Sequence, residues 1–341
     1  MPQRVTGDAL GPTTAPDPRG AWPCATGEPC LRTPQRVLVT GASGFVGSAL
    51  ATALVREGHD VRAMTRRPAE YDGAGRPVRG DVAEPGGVSD ALEGVDVAYY
   101  LIHALDSSRF EREDADYARR FSRAAAEAGV RQIVYLGGLG RDDTDLSPHL
   151  RSRREVETLL GEDGVPVTVL RAAVVVGHGG ISWEMTRQLA GAVPVMPAPH
   201  WVRTKIQPIA LQDVVGYLVG VLGNEKALGR VCEIGGPTVL TYAEMLTTVA
   251  RLQKGRDVAV VPVPVLGGGV MDGLVARASS HFLALTTGSN AATGRNLIGS
   301  MEHEVVVTDD SIRSVVDLEP LDFEDMVRLA IGDRLREGLA P

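Results

Sequence analysis

The sequence predicts an α/β protein whose doubly wound parallel sheet is covered at its carboxyl edge by a smaller C-terminal α+β region. Three observations carry this expectation. Short apolar runs alternate with helical stretches from Pro34 to about Val176; a glycine-rich stretch, Thr40-Gly-Ala-Ser-Gly-Phe-Val-Gly47, joins the first strand to the first helix; and after Gly177 the rhythm breaks into Pro-bearing loops and mixed elements. Alternation of this kind requires right-handed crossovers, and hence a parallel sheet with helices on both faces, the Rossmann-type arrangement.

The elements follow in order. Val37, Leu38 and Val39 form the apolar run of a strand over 36–40 that is covered on both faces. Gly41, Gly44 and Gly47 then permit a tight turn, a close backbone approach to a pyrophosphate and close helix packing. The amides of Ser43, Gly44 and Phe45, followed by Val46, open a helix over 45–57, whose N-terminus favours an anion. Gly58 ends that helix. The pattern continues with strand 59–65, a short strand near Val78, a short helix at 87–93, strand 95–101, helix 109–128, strand 132–136, helix 150–161 and strand 166–176. In the long helix Phe110, Tyr117, Phe121, Ala124, Ala125 and Ala128 share a stripe, read as core packing with a dimer seam as the other reading. Beyond Gly177, Ile206–Ala210 precedes a helix near Asp213, and Val231–Ile234 returns to the sheet. Thr241 and Glu244 form a capping-box signature, 258–263 and 304–308 are strand-like, and Asp322 caps a terminal amphipathic helix.

Composition narrows the function classes. A chain of 341 residues with 44% apolar content can build a sizeable core. Its net charge of −8 argues against a nucleic-acid surface. Cys24, Cys30 and Cys232 are odd in number and lack metal-ligand spacing, which points away from disulfides and zinc and toward a reduced, cytoplasmic setting. The longest apolar stretch, Val258–Met271, is interrupted by prolines and glycines and is too short to span a bilayer, so no membrane association is expected. Residues 1–33 have no apolar h-region and read as a disordered leader.

Taken together, Thr40–Gly47, Gly80-Asp81-Val82, Val134–Gly138, Leu170-Arg171, Val174–Gly177, Ile206–Val214 and Val231–Gly236 resemble the extended short-chain dehydrogenase/reductase superfamily, in particular its atypical, NmrA-like members. The resemblance covers Pro34 to the C-terminus. It implies an NAD(P)-binding domain over 34–235, with 178–205 contributing to a substrate pocket, and a substrate-covering region over 236–341. It assigns Asp81 and Val82 to the adenine, and Leu101, Ile102 and His103 to the ribose next to the nicotinamide. Arg66 and Arg67 stand at the end of the second strand, where an NAD-preferring site places a carboxylate. A guanidinium pairs with a 2′-phosphate, so NADP(H) is the expected cofactor with NAD(H) possible; the other reading is a solvated strand end.

The resemblance fails at the proton-transfer site. Standard members carry a serine after the fifth strand and Tyr-x-x-x-Lys on the following helix. Here Gly137 or Gly138 occupies the serine position, His149 the tyrosine position and Arg153 the lysine position. An imidazole is a competent general acid, although a neighbouring guanidinium favours its neutral form. The alternative is that His149 marks a helix entry after Pro148, with Arg151, Arg153 and Arg154 as a solvated basic face. His103 is the rival acid. His178 and Trp183 are placed at the pocket border and Trp201, Arg203 and Lys205 in the segment leading to the later region, while Tyr99, Tyr100 and Tyr135 are expected in the core. The expectation is therefore an NADPH-dependent reductase of a small organic molecule, monomeric or homodimeric and without a metal. A non-catalytic NADP(H)-sensing regulator and a cofactor-recycling isomerase or epimerase stand as alternatives.

Overall fold

The computed structural model describes residues 33–104, 107, 109–141, 146–192, 195–198, 200–255, 259–262 and 299–340. Apart from Thr33, the expected leader lies outside the described residues, as do Cys24, Cys30 and all of the 258–271 stretch except 259–262.

A seven-stranded sheet forms the centre. Its strands are β1 (Arg36–Val39), β2 (Asp60–Thr65), β3 (Arg76–Arg79), β4 (Val97–Tyr100), β5 (Gln132–Gly138), β6 (Val167–Ala172) and, after four short strands outside it, β11 (Val231–Ile234). Their order is β11-β6-β5-β4-β1-β2-β3, and every pair is parallel. The direction of winding reverses between β1 and β4, the position at which ligands bind beyond the carboxyl ends of such sheets.

Strand periodicity divides the core. Val37 and Val39 face α1 (Phe45–Arg56) and α6 (Leu211–Gly220), whereas Leu38 points to the opposite face with Ala98 and Tyr100. That second face is covered by α2 (Ser89–Leu92), α3 (Phe110–Glu127) and α4 (Pro148–Leu159). Tyr99, Tyr100 and Tyr135 are fully buried, as their sequence setting predicts. In α3, Phe110, Phe121, Ala124 and Ala125 are buried, which bears out the core reading of its stripe.

Several boundaries differ from expectation, each for a local reason. The strand expected over 166–176 is two pieces, because the chain bends at Ala173 and β7 (Val175–Val176) leaves the sheet to pair with β10 (Ile209–Ala210). The run 206–210 is likewise divided: β9 (Lys205–Ile206) pairs with β12 (Leu240–Thr241), and Pro208, which has no N–H, separates it from β10. Helix α4 begins two residues earlier than predicted. Ser147 is its N-cap, its hydroxyl accepting from the Leu150 amide at 3.3 Å, and Pro148 takes the first-turn position. The strand expected over 304–308 is a single bridge between Ile206 and Val305.

The remaining elements build the cover. They include α5 (Ile181–Ala192), β8 (Val195–Ala198), α7 (Tyr242–Lys254), β13 (Ala259–Pro262) and α8 (Phe323–Arg336). The Thr241/Glu244 capping box forms, and Asp322 accepts from the Asp325 amide at 3.0 Å. A third core containing Trp183, Trp201, Tyr242, Leu246, Val249, Phe323 and Met326 joins these helices.

Candidate active site

The glycine turn has the geometry its sequence requires. Gly41 takes φ +63°, and a Cβ there would stand 3.1 Å from the Leu101 carbonyl. A Cβ at Gly47 would meet the Gly41 carbonyl oxygen at 2.1 Å, so the third glycine is what lets α1 lie against the turn. The Gly44 amide donates to Gly41 O at 2.9 Å and is spent inside the turn, which removes it from the set of amides expected to face a phosphate. Gly44 is the N-cap of α1 and supplies no side chain to cap it, leaving the first-turn amides of Phe45 and Val46 directed at the turn. Ser43 and Gly44 are exposed there. This bare, amide-lined cradle fits a pyrophosphate. The Phe45 ring turns away from it: Cβ atoms built on Gly177 and Gly180 would stand 3.0 and 2.7 Å from that ring, so the side chain locks the turn to the loop after β7.

At the outer edge of the sheet, Arg66 and Arg67 follow β2 and are both exposed. Arg67 pairs with Glu70 at 2.9 Å, two largely exposed side chains whose attraction is small. Asp81 closes a local turn, its Oδ1 accepting from the Ala83 amide at 2.9 Å, while Val82 is buried in the core. Arg120 of α3 holds this loop from below, donating to the Ala83 carbonyl at 2.5 Å.

The end of β4 carries the most distinctive chemistry. Thr40 is fully buried; its hydroxyl donates to Tyr99 O at 3.0 Å and accepts from the Leu101 amide at 2.9 Å, tying the glycine turn to the segment Leu101-Ile102-His103. His103 and His149, the two rival acids, are neighbours: His103 Nε2 lies 3.2 Å from His149 Nδ1. On its other side His103 Nδ1 contacts Asp114 Oδ2 at 2.8 Å. Asp114 also accepts from the Ala104 amide at 2.8 Å and from the Ser152 hydroxyl at 3.1 Å, and its side chain is only 4% exposed. Burial opposes its charge, but the His103 hydrogen bond and cation outweigh burial and hold the carboxyl below the ordinary range. Burial, then the Arg153 charge, then His103 push the His149 imidazole well below its usual value, so His149 is neutral.

Arg153 donates to the Tyr135 hydroxyl at 3.2 Å. The expected solvated basic face is thus only partly present. Arg151 is exposed and pairs with Glu111, whereas Arg154 donates to the Gly138 and Gly140 carbonyls and to Glu157. Glu157 also binds Arg171 at 2.7 Å, and a Cβ at Gly137 would come within 2.7 Å of its Oε1. A buried carboxylate with two guanidinium partners therefore occupies the space that a serine at 137 would need.

Of the residues placed at the pocket border, Trp183 is 1% exposed and belongs to the covering core. His178 lies between Glu184 at 3.1 Å and Glu337 at 3.0 Å. Trp201 packs edge-on against Tyr242 with ring centroids 5.7 Å apart, and Arg203 and Lys205 are exposed. Among the described residues no cluster of His, Cys, Asp and Glu could hold a metal ion, and no helix is long and apolar enough to cross a membrane. Sequence reasoning missed Asp114. Its signal is an acid on an otherwise apolar stripe, four residues after Phe110 and seven before Phe121.

Residues 41–189 match the family model described as NAD(P)H-binding. An uncharacterized protein of Mycobacterium tuberculosis is 26% identical over 217 residues, covering 63% of this chain and 23% of that protein. A ceramide reductase of Caulobacter vibrioides is 29% identical over 190 residues, covering 54% of this chain and 59% of the reductase. The chain thus spans less than two thirds of the length of either relative. A nucleoside-diphosphate-sugar epimerase from Staphylococcus aureus has the same fold, with a TM-score of 0.68 at 14% identity over 86% of this chain and 99% of that one.

Proposed function

We propose that the chain, whose residues 41–189 match the NAD(P)H-binding family model, is an NADPH-dependent reductase of the extended or atypical short-chain dehydrogenase/reductase kind acting on a small organic molecule. The observation that carries this reading is the imidazole pair beyond β4, coupled through Leu101 and Thr40 to the glycine turn. The likeness to a protein named ceramide reductase favours reduction over mere cofactor sensing.

In this reading the Phe45 and Val46 amides and the exposed turn at Ser43 and Gly44 hold the pyrophosphate, Asp81 and Val82 flank the adenine, and Leu101 and Ile102 border the ribose beside the nicotinamide. A bound nicotinamide supplies the hydride. The chain's own part is to orient the substrate, exclude water and deliver a proton to the atom that gains negative charge. His149 meets the substrate, and Arg153 keeps a fixed positive charge beside it. A reduced, cytoplasmic setting belongs to the same proposal.

Arg66 and Arg67 are assigned to the 2′-phosphate. Fluorescence titration of the full chain, paired with a screen for NADPH oxidation against ketones, enones, imines and quinones, tests both parts. Replacing both arginines by glutamine is expected to weaken NADPH by roughly 10- to 100-fold while NADH changes little. Equal loss for the two cofactors would remove the assignment, and NADPH binding without oxidation of any acceptor would count against the reductase.

A further inference from the structure

We propose that Asp114, His103 and His149 form a proton relay in which the stored charge resides on His103 and the outgoing proton leaves from Nε2 of His149. This inference rests on the reductase reading and specifies how its proton is supplied. His149 alone is a poor acid, because a mostly buried ring beside Arg153 stays neutral. The geometry removes that difficulty. Asp114 of α3 is fixed by three donors, His103 and Ala104 in the loop after β4 and Ser152 on α4. An acceptor so fixed requires the proton on Nδ1 of His103.

The 3.2 Å contact between His103 Nε2 and His149 Nδ1 needs one hydrogen between two nitrogens. In the loaded state that hydrogen is on His103, which is then an imidazolium clamped by Asp114, and His149 is a neutral ring carrying its hydrogen on Nε2. As hydride reaches the substrate carbon and the electron pair of the C=O or C=N bond moves to the heteroatom, the His149 Nε2–H bond breaks and the new O–H or N–H bond forms. His149 Nδ1 takes the proton of His103 Nε2 in the same displacement. Both rings end neutral, with His149 Nδ1–H directed at His103, and one proton from solvent reloads the pair. The substrate gains one hydride and one proton, the nicotinamide is oxidised, and His149 never carries a net charge beside Arg153.

Asp114 and His103 are positioning residues in this scheme, and His149 is the catalytic one. The groups facing the pair are Asp114 from α3, Arg153 from α4, Tyr135 from β5 through its bond to Arg153, and Tyr100 from β4, which burial keeps as a neutral phenol. The carboxylate is the anion among them.

The test is 15N NMR of the histidines in the full chain, free and with NADPH, across neutral pH. The expected spectrum has His103 protonated on Nδ1 throughout, with the two rings sharing one titration step. Asp114→Asn is expected to move that step acid-ward by about 1–3 pH units and to release the His103 tautomer. The alkaline limb of kcat for reduction should move by the same amount, and Asp114→Glu should restore part of it. His103→Gln supplies a second variant if the asparagine protein does not fold, and should abolish the shared step. Two histidines titrating independently, or tautomers and pH profile unchanged in Asp114→Asn, would overturn the relay while NADPH oxidation still stood. A shared titration step in a protein that binds NADPH but reduces nothing supports the charge-sharing pair and instead overturns the reductase reading.

Discussion

His149, in the first turn of α4, and His178, after β7, have opposite company. His149 faces another imidazole and a guanidinium, and is held neutral. His178 lies between Glu184 and Glu337, in a cluster completed by Arg187 and Arg334. There burial of Glu184 is outweighed by the Arg187 hydrogen bond and charge together with hydrogen bonds from Gly179 and His178, so this carboxyl stays below its ordinary range. In the proposed relay the first histidine passes a proton without gaining charge. The second ties the loop after β7 to α5 and to the residue following α8, fixing the cover on the sheet. On the proposed relay, partners rather than residue type or position at the strand ends decide which histidine moves a proton.

The contrast can be broken from the cofactor side first. Gly47→Ala puts a methyl group into the Gly41 carbonyl, so α1 must retreat from the turn. An overpacking cost of about 1–3 kcal/mol corresponds to roughly 10- to 100-fold weaker NADPH binding, measured by titration. The His178 cluster, built from other elements, is expected to survive this change. Retained affinity would show that the turn does not hold the phosphates.

A second prediction concerns the seam between the two regions. Asp213 of α6 is 4% exposed and accepts from the Leu321 amide at 3.0 Å, binding the segment before α8 to the sheet. Burial raises its carboxyl to about 6 despite that hydrogen bond and one from Gln212. The folded protein therefore holds a proton that the unfolded chain, with an ordinary value of 3.8, has already released. The stabilisation is present below the unfolded value and is lost as pH rises through the folded one, a change on the order of 2–3 kcal/mol between about pH 4 and 6. Asp213→Asn keeps an acceptor and removes the titration, so denaturant unfolding should show the variant more stable than the parent at pH 8 and nearly equal at pH 4. A flat difference across that range would contradict the assignment.

The smallest expected effect belongs to the cover. His178→Ala removes contacts to a partly buried and to an exposed carboxylate, which should cost about 1 kcal/mol or less in stability. A larger loss would mean that the cluster carries more of the cover's attachment than its exposure suggests.

These two regions also differ in how far the residues announce them. The sheet was legible because buried parallel strands are short apolar runs, and because Gly41 and Gly47 have neighbours that no other residue would tolerate. The bend at Ala173 was not, since pairing of β7 with β10 depends on a segment more than thirty residues away. His103, His149 and Arg153 were each legible as candidates from their places after β4 and in α4. That they meet was not, because the partner that organises them, Asp114, sits among core residues of a helix where an acid is read only as an interruption. Similarly, the arginine expected in solvent at 154 is drawn inward by Glu157 and by carbonyls at the end of β5, which only the folded register brings together.

The most direct measurement is NADPH oxidation by His149→Ala and His178→Ala side by side with the parent, using an acceptor on which the parent turns over. The first variant is expected to lose about 10²- to 10⁴-fold in kcat with NADPH affinity nearly unchanged, and the second to retain turnover within a few-fold. Undiminished turnover in His149→Ala, or an equal loss in both variants, would contradict this expectation.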